Sequence, residues 1–284
     1  MSVNETQDAP AAADAAVGAG VVVGVDGSPS GARALEWAAL EAAAHGLPLR
    51  IVVAGPAEPA PGAESGRGVL DDALARCAVV APEVAVTGAV RSGEPAAVLL
   101  RAAADAALLV VGRTGRGNRI GPHVGSVPDA VVRYASCSVA VVAADPLAGV
   151  VRWNGDVLVG IDGSDHDAAV LSAAFSAAAV RGGRLTIAHG PGEPDRRRGS
   201  TVSGREVLDA AIGVWTVRHP GVDVIGRVVA GGPIHGLVAL SPIAALLVVG
   251  AVGGEGLPSE LLGSVPRALA GRVACPVLVV RDRG

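Results

Sequence analysis

Short runs of apolar residues alternate along the chain with longer segments that are typical of helices. Residues 108–111 and 246–249 share the sequence Leu-Leu-Val-Val, which indicates strands buried on both faces of a parallel sheet. In the first half, the pattern predicts strands over 21–26, 49–54, 84–91, 107–111 and 138–143, and helices over 31–46, 68–80, 95–106 and 127–135. Ser28 or Ser30 can cap the first of these helices. The same order of elements is predicted from residue 156 to residue 281.

The two halves of the chain repeat one another. Val-Gly-Val-Asp-Gly-Ser ends at Ser28 and Val-Gly-Ile-Asp-Gly-Ser ends at Ser164, 136 residues later (164 − 28), while Cys137 corresponds to Cys275, 138 residues later (275 − 137). A nearly constant offset over the whole length indicates duplication of a domain. We therefore expect a disordered segment at 1–20, one domain at 21–144, a linker at 145–155 and a second domain at 156–284.

Alternating strands and helices predict an α/β fold, with an open parallel sheet in each half and helices on both of its faces. Ligands of such sheets bind beyond the carboxyl ends of the strands, near the point where the strand order reverses. Asp26 and Asp162 follow directly after the first strand of each half. If the first and fourth strands are neighbours, each aspartate faces the loop that follows the fourth strand.

That loop is glycine-rich in both halves. The pattern Gly-x2-Gly-x9-Gly-Ser occurs at 112–126 and again at 250–264. A strand, a glycine-rich loop and a helix start together offer backbone N–H groups to a phosphate. An Asp-Gly turn, a serine N-cap or a glycine-rich loop is ordinary by itself. Their coincidence at matching positions in both halves predicts two nucleotide sites.

Composition excludes several functions. The net charge of −4 argues against a general nucleic-acid binder, and no apolar run reaches the roughly 18 residues of a membrane span. All 23 basic residues are arginine, so a Walker-type P-loop and a lysine Schiff base are both excluded. The Ala-rich, acidic start lacks the features of a signal peptide. Three scattered cysteines, each expected to be buried, fit a cytoplasmic protein.

Taken together, these residues resemble the universal stress protein family in its tandem-domain, ATP-binding form. The resemblance covers nearly the whole chain after residue 20. It rests on the Val-Gly-Val-Asp-Gly-Ser segment, the spaced glycines, a Gly-x-Pro before the third helix of each half, and Cys-Pro-Val-Leu-Val-Val at 275–280. It implies a Rossmann-like, five-stranded sheet of order 3-2-1-4-5 in each domain. It also implies that the two domains pair through their last strands, and that the chain forms a homodimer.

The resemblance further implies ATP as the ligand, with or without Mg²⁺. It implies a regulator of stress survival, dormancy or growth, acting through nucleotide-dependent interactions, with at most slow ATP hydrolysis. The binding residues that it implies in the first half are Gly24, Asp26, Gly112, Arg113, Thr114, Gly115, Arg116, Gly117, Asn118, Gly125 and Ser126. Those in the second half are Gly160, Asp162, Gly250, Ala251, Val252, Gly253, Gly254, Glu255, Gly256, Gly263, Ser264 and Val265.

The two loops differ in charge. The first contains Arg113, Arg116, Arg119 and His123, whereas the second contains no basic residue and adds Glu255 and Glu260. Arginine forms charge-assisted bonds with a triphosphate, while a carboxylate repels it unless a metal intervenes. We therefore expect tighter ATP binding in the first half, and a greater dependence on magnesium, through Glu255, in the second.

Two other functions remain open at this point. One is an enzyme similar to the adenylating ATP pyrophosphatases, which carry Ser-Gly-Gly-x-Asp-Ser after the first strand. This chain has Asp26-Gly27-Ser28-Pro29 there, which weakens that alternative. The other is a protein-interaction module that binds no nucleotide.

Overall fold

The computed structural model describes residues 20–55, 66–115, 124–143, 153–190, 203–252 and 264–282. The elements of the first half are β1 Val21–Val25, α1 Pro29–His45, β2 Leu49–Gly55, α2 Gly66–Val80, β3 Val86–Ser92, α3 Pro95–Ala102, β4 Leu108–Gly112, α4 Ser126–Tyr134 and β5 Ser138–Val142. Those of the second half are β6 Val157–Ile161, α5 Asp167–Arg181, β7 Leu185–His189, α6 Gly204–Arg218, β8 Val224–Val228, α7 Pro233–Leu240, β9 Leu246–Gly250, α8 Ser264–Ala270 and β10 Val277–Val280. A 3₁₀ turn, Ser241–Ile243, follows α7.

The predicted alternation of strands and helices is confirmed, with differences at the ends of elements. Helix α1 begins two residues earlier than predicted, because Ser28 is its N-cap and accepts a hydrogen bond from the N–H of Gly31. Helix α3 stops at Ala102 and not at 106, because Ala103 leaves helical geometry (ψ 7°) and the chain turns towards β4. Strand β3 runs over 86–92 and not 84–91. The predicted segment 1–20, except Gly20, and most of the predicted linker lie outside the described residues.

All ten strands form one sheet, in the order β3-β2-β1-β4-β5-β10-β9-β6-β7-β8. Within each half this is the order 3-2-1-4-5 implied by the resemblance. Every pairing is parallel except that between β5 and β10, where Val139 lies opposite Val279 and Ala140 opposite Leu278. The implied pairing of the two domains through their last strands is thus confirmed within one chain. A homodimer therefore needs a surface other than these two strands.

Two layers of helices cover the sheet. The odd residues of β1, Val21 and Val23, face the layer of α1, α2, α5 and α6, and Val22 faces the layer of α3, α4, α7 and α8. Small side chains let α1 lie close to the sheet, since Ala34, Ala38 and Ala42 are fully buried. All three cysteines are buried, as predicted, and none forms a disulfide in the described structure. No helix in the described part of the chain is long and apolar enough to cross a membrane.

A buried ion pair joins the two halves on one face of the sheet. The guanidinium of Arg181, in α5, donates to Oε2 of Glu41, in α1, at 2.5 Å. Trp153 donates its indole N–H to the same oxygen, and its ring lies under the guanidinium, with 4.6 Å between Cζ and the ring centroid. Burial alone would raise the pKa of Glu41, but His45, Arg181 and Trp153 together hold it below its usual range. Charge and aromatic contacts thus fix α1 against α5.

Replacement of Arg181 by methionine should destabilise the protein by about 3 kcal/mol, because it leaves the Glu41 carboxylate buried without its cation. Denaturant unfolding of the full chain measures the loss. Arg184→Met is the matched control, since Arg184 forms an exposed ion pair with Asp223 in the same half. That control should leave stability nearly unchanged. Equal losses in both variants would contradict a structural role for the buried pair.

Candidate functional site

A cavity of about 450 Å³ opens at the carboxyl ends of β1 and β4, which are neighbours in the sheet. The switch in strand order lies at this point, where open α/β sheets bind ligands. Asp26 is the only ionisable side chain in the described lining. The lining residues are Gly24, Val25, Asp26, Gly31, Val52, Ala54, Pro95, Leu99, Val111, Gly112, Thr114, Gly115, Val124, Gly125, Ser126, Val127 and Pro128.

Asp26 faces the glycine-rich loop, as the sequence predicts. Its Oδ1 accepts a hydrogen bond from the N–H of Ser28 at 3.0 Å, which closes a tight turn through Gly27 at a positive φ of 79°. Its Oδ2 approaches the loop so closely that a Cβ placed on Gly115 would lie 2.9 Å from it. The aspartate and the start of the phosphate-cradle sequence therefore meet at one cavity.

Two serine hydroxyls fasten helix α1 to that loop. Ser28 Oγ donates to the carbonyl of Thr114 at 3.5 Å, and Ser30 Oγ accepts from the N–H of Thr114 at 3.4 Å. Ser30 also donates to the carbonyl of Val142, at the end of β5, at 3.3 Å. The sequence indicated these serines only as helix caps. Their bonds to the loop depend on tertiary contact and fix its first turn.

Glycine at 112 is required by close packing. A Cβ on Gly112 would lie 2.7–2.8 Å from the backbone and hydroxyl of Ser30, a distance that real side chains do not adopt. Gly24 and Gly160 occupy equivalent positions in the two halves and each packs against a leucine. A Cβ on Gly24 would lie 2.7 Å from Leu99, and a Cβ on Gly160 would lie 2.8 Å from Leu237. These glycines let a helix approach the ends of the central strands.

The backbone of Arg113 shapes the loop, while its side chain crosses to the other half. Its N–H donates to Val142 at 2.8 Å, and its carbonyl accepts from Gly125 at 2.9 Å, which brings the two ends of the loop together. Its guanidinium donates to the carbonyl of Val273 at 3.0 Å. Burial lowers the pKa of that guanidinium. This differs from the expectation that Arg113 offers its charge to a phosphate, because the group is held by the interface between the halves.

Helix α4 closes the cavity with its N-terminus. Gly125 is the N-cap and has no side-chain cap bond, and Ser126, Val127 and Pro128 follow in the lining. The first N–H groups of a helix have no partners within it, and the helix dipole favours an anion there. In its first turn, Asp129 forms an ion pair with Arg267 of α8, at 2.6 Å. The cavity thus combines a carboxylate, backbone donors and an apolar wall.

The second half repeats the Asp-Gly-Ser turn, but an additional carboxylate covers it. Asp162 follows β6, beside β9, and its Oδ1 accepts from the N–H of Ser164 at 3.0 Å, as in the first half. The carboxylate of Asp167, however, folds back over this turn and accepts from the N–H of Gly163 at 2.8 Å and of Asp162 at 3.3 Å. The sequence analysis missed Asp167. The signal was the residue at its equivalent position, Gly31, 136 residues earlier (167 − 31).

Burial, reinforced by the negative charge of Asp162, raises the pKa of the Asp167 carboxyl from its ordinary 3.8 to about 6. The two backbone hydrogen bonds and the charge of His166 oppose this rise but do not cancel it. The carboxyl groups of Asp162 and Asp167 therefore both lie at the ends of β6 and β9, which we call the second crevice. In the first crevice, the cavity at the ends of β1 and β4, Asp26 is the one described carboxylate. Repulsion between Asp162 and Asp167 is the cost of placing Asp167 over the turn.

Several predicted residues lie outside the described part of the chain: Arg116, Gly117, Asn118, Gly253, Gly254, Glu255, Gly256 and Gly263, together with Arg119, His123 and Glu260. Gly250 ends β9, and Ala251 donates its N–H to Val280 at 2.9 Å, as Arg113 does to Val142. Ser264 begins α8 and is followed by Val265. Among the described residues, no group of three or more His, Cys, Asp and Glu side chains is placed to hold a metal ion.

The raised pKa of Asp167 predicts a pH-dependent stability. The folded state holds the proton more tightly than the unfolded chain, so this group stabilises the fold below about pH 4 and the contribution is lost as the pH rises to about 6. Relative to Asp167→Asn, the wild type should therefore lose about 2 kcal/mol between pH 4 and pH 7. Chemical unfolding at several pH values measures this difference. Asp165→Asn, an exposed neighbour, is the control, and a wild type that gains stability relative to Asp167→Asn over this range would contradict the sign.

Comparison with known proteins identifies the family to which this chain belongs. The model of the universal stress protein family matches residues 20–143 and again 154–281. A universal stress protein of Mycobacterium tuberculosis, Rv2005c, is 34% identical over 93% of this chain and 97% of its own length. A crystal structure of a universal stress protein from Archaeoglobus fulgidus has a TM-score of 0.64 at 18% identity, over 93% of this chain and 98% of that one.

A crystal structure of a universal stress protein in complex with cAMP is 32% identical over 45% of this chain and 96% of that one, with a TM-score of 0.35. Only the Archaeoglobus fulgidus structure, of the two named here, is similar enough to support the overall fold. The family assignment rests on the family model, which matches both halves of the chain, and on the mycobacterial relative, which aligns over nearly its whole length. The chain belongs to the universal stress protein family and contains two copies of the family's domain.

Proposed function

We propose that this stress-response protein is a nucleotide-binding regulator whose first half binds ATP. The observation that carries the proposal is the cavity at the ends of β1 and β4, where the Asp26 carboxylate faces the glycine-rich loop and the N-terminus of α4. A volume of about 450 Å³ is within the range of small-molecule sites.

Each part of the lining suits one part of ATP. Asp26 would accept hydrogen bonds from the ribose hydroxyls, because it is the carboxylate at the end of β1. Among the described residues, the N–H groups of the first turn of α4 would bind the phosphates, because those of Arg113, Thr114 and Gly125 are already donated within the protein. Apolar side chains on the opposite wall, Val52, Leu99 and Val111 among them, would pack on the base.

The other expectations stay predictions under this proposal. One of them is regulation of stress survival, dormancy or growth through nucleotide-dependent interactions with another protein. A cytoplasmic location and a homodimer also remain predicted, as does a role for Mg²⁺ on the phosphates. A nucleotide-free interaction module is the competing function, and an ATP pyrophosphatase-like enzyme is disfavoured by Asp26-Gly27-Ser28-Pro29 after β1.

Calorimetry of the full chain with ATP tests the proposal, together with assay of the nucleotide that denatured protein releases. Asp26→Ala should weaken ATP binding about 10- to 100-fold, because a hydrogen bond to a charged group contributes about 1.5–3 kcal/mol. Asp162→Ala is the matched control from the equivalent turn of the second half, and it should leave the high-affinity site unchanged.

Protein that releases no nucleotide and gives neither heat nor a thermal shift with ATP would contradict the proposal and favour the interaction module. Rapid release of pyrophosphate would instead favour the enzyme. Titration with ADP and AMP in the same experiment shows which phosphates contribute to affinity.

A further inference from the structure

We propose that Asp167 closes the second crevice to nucleotide, so that one chain binds ATP in its first half alone. This inference rests on the proposed function of the first half and replaces the expectation of two working sites. It assigns to a single carboxylate the selection of which repeat is a binding site.

The position of Asp167 is part of the cavity wall in the first half. Its equivalent there, Gly31, lines the cavity and lies beside Asp26. A Cβ on Gly31 would come within 2.8 Å of Asp26 Oδ1, so a side chain at this position lies directly beside the aspartate that faces the ligand. In the second half this position carries a whole acidic side chain.

The Asp167 side chain takes up the polar groups of the second turn. Its two oxygens accept from the N–H groups of Asp162 and Gly163. A nucleotide entering this crevice would meet the turn already covered by a carboxylate. It would also meet two acidic groups where the first crevice has one, and at neutral pH both repel a triphosphate.

The first helix also begins differently in the two halves. Helix α1 begins at Pro29, directly after its Ser28 cap, whereas α5 begins only at Asp167. Asp165 and His166 replace Pro29 and Ser30, so the second half has no counterpart of the hydroxyl that bonds the loop after β4. Ser164, the equivalent of Ser28, has a buried Oγ with no hydrogen-bond partner in the described structure. Within the described residues, the second crevice thus has neither of the serine links that fasten the first loop.

A reciprocal exchange tests the inference, with the number of ATP molecules bound per chain, measured by calorimetry, as the readout. The wild type should bind one, Asp167→Gly should bind two, and Gly31→Asp should bind none. Adding Asp26→Ala to Asp167→Gly should weaken the first-half site and leave the new one unaltered, which assigns each site to its repeat. Asp167→Ala is the second variant, in case glycine at the start of α5 disturbs folding, and thermal unfolding confirms that each variant is folded.

The outcomes separate this inference from the proposed function. A wild type that binds no ATP overturns the proposed function. A wild type that binds two, with at least one site sensitive to Asp162→Ala, overturns the inference and leaves the proposed function intact. A count that stays at one in folded Asp167→Gly and Asp167→Ala also overturns it, because the carboxylate would then not be what closes the crevice.

Discussion

The antiparallel pairing of β5 with β10 is the interaction on which the rest of the structure depends. Each half is an open parallel sheet whose last strand would otherwise present unpaired N–H and C=O groups at an edge. By pairing with one another, the two last strands make a single ten-stranded sheet and place the halves in a fixed relation. Helix α1 then meets α5, and α4 meets α8, across the join.

One consequence concerns the first site directly. The loop that follows β4 is held by its own half through Ser30, but the guanidinium of Arg113 in that loop donates to Val273 of the other half. The loop that would bind phosphate therefore rests on the partner repeat. In this arrangement the second half supports the first site mechanically, whether or not its own crevice binds anything.

The sequence predicted the frame of this protein well, because the frame follows from local patterns. Apolar runs located the strands, and the resemblance supplied their order and the pairing of the halves. Helix ends were less well predicted, as at α3, because the turn after Ala102 leads to a bond across the fold, in which the N–H of Ala107 donates to the carbonyl of Gly20. The direction of Arg113 was not predictable from the loop itself, since its acceptor, Val273, lies 160 residues away in the chain.

Asp167 was missed for a different reason. The shared Asp-Gly-Ser turn made the ends of β1 and β6 look equivalent, while the residue that distinguishes them lies three positions beyond Ser164. Nothing about an aspartate in the first turn of a helix is unusual, since acidic residues are favoured there. Only the fold shows that this carboxylate turns back over the end of β6. Equivalence of sequence at the strand ends is therefore a poor guide to equivalence of sites.

A crystal structure of the full chain grown with ATP and Mg²⁺ tests the central claim most directly. The account predicts one nucleotide, in the crevice at β1 and β4, with the Asp167 carboxylate still on the N–H groups of Asp162 and Gly163. Nucleotide in the crevice at β6 and β9, with Asp167 displaced from those N–H groups, would contradict it.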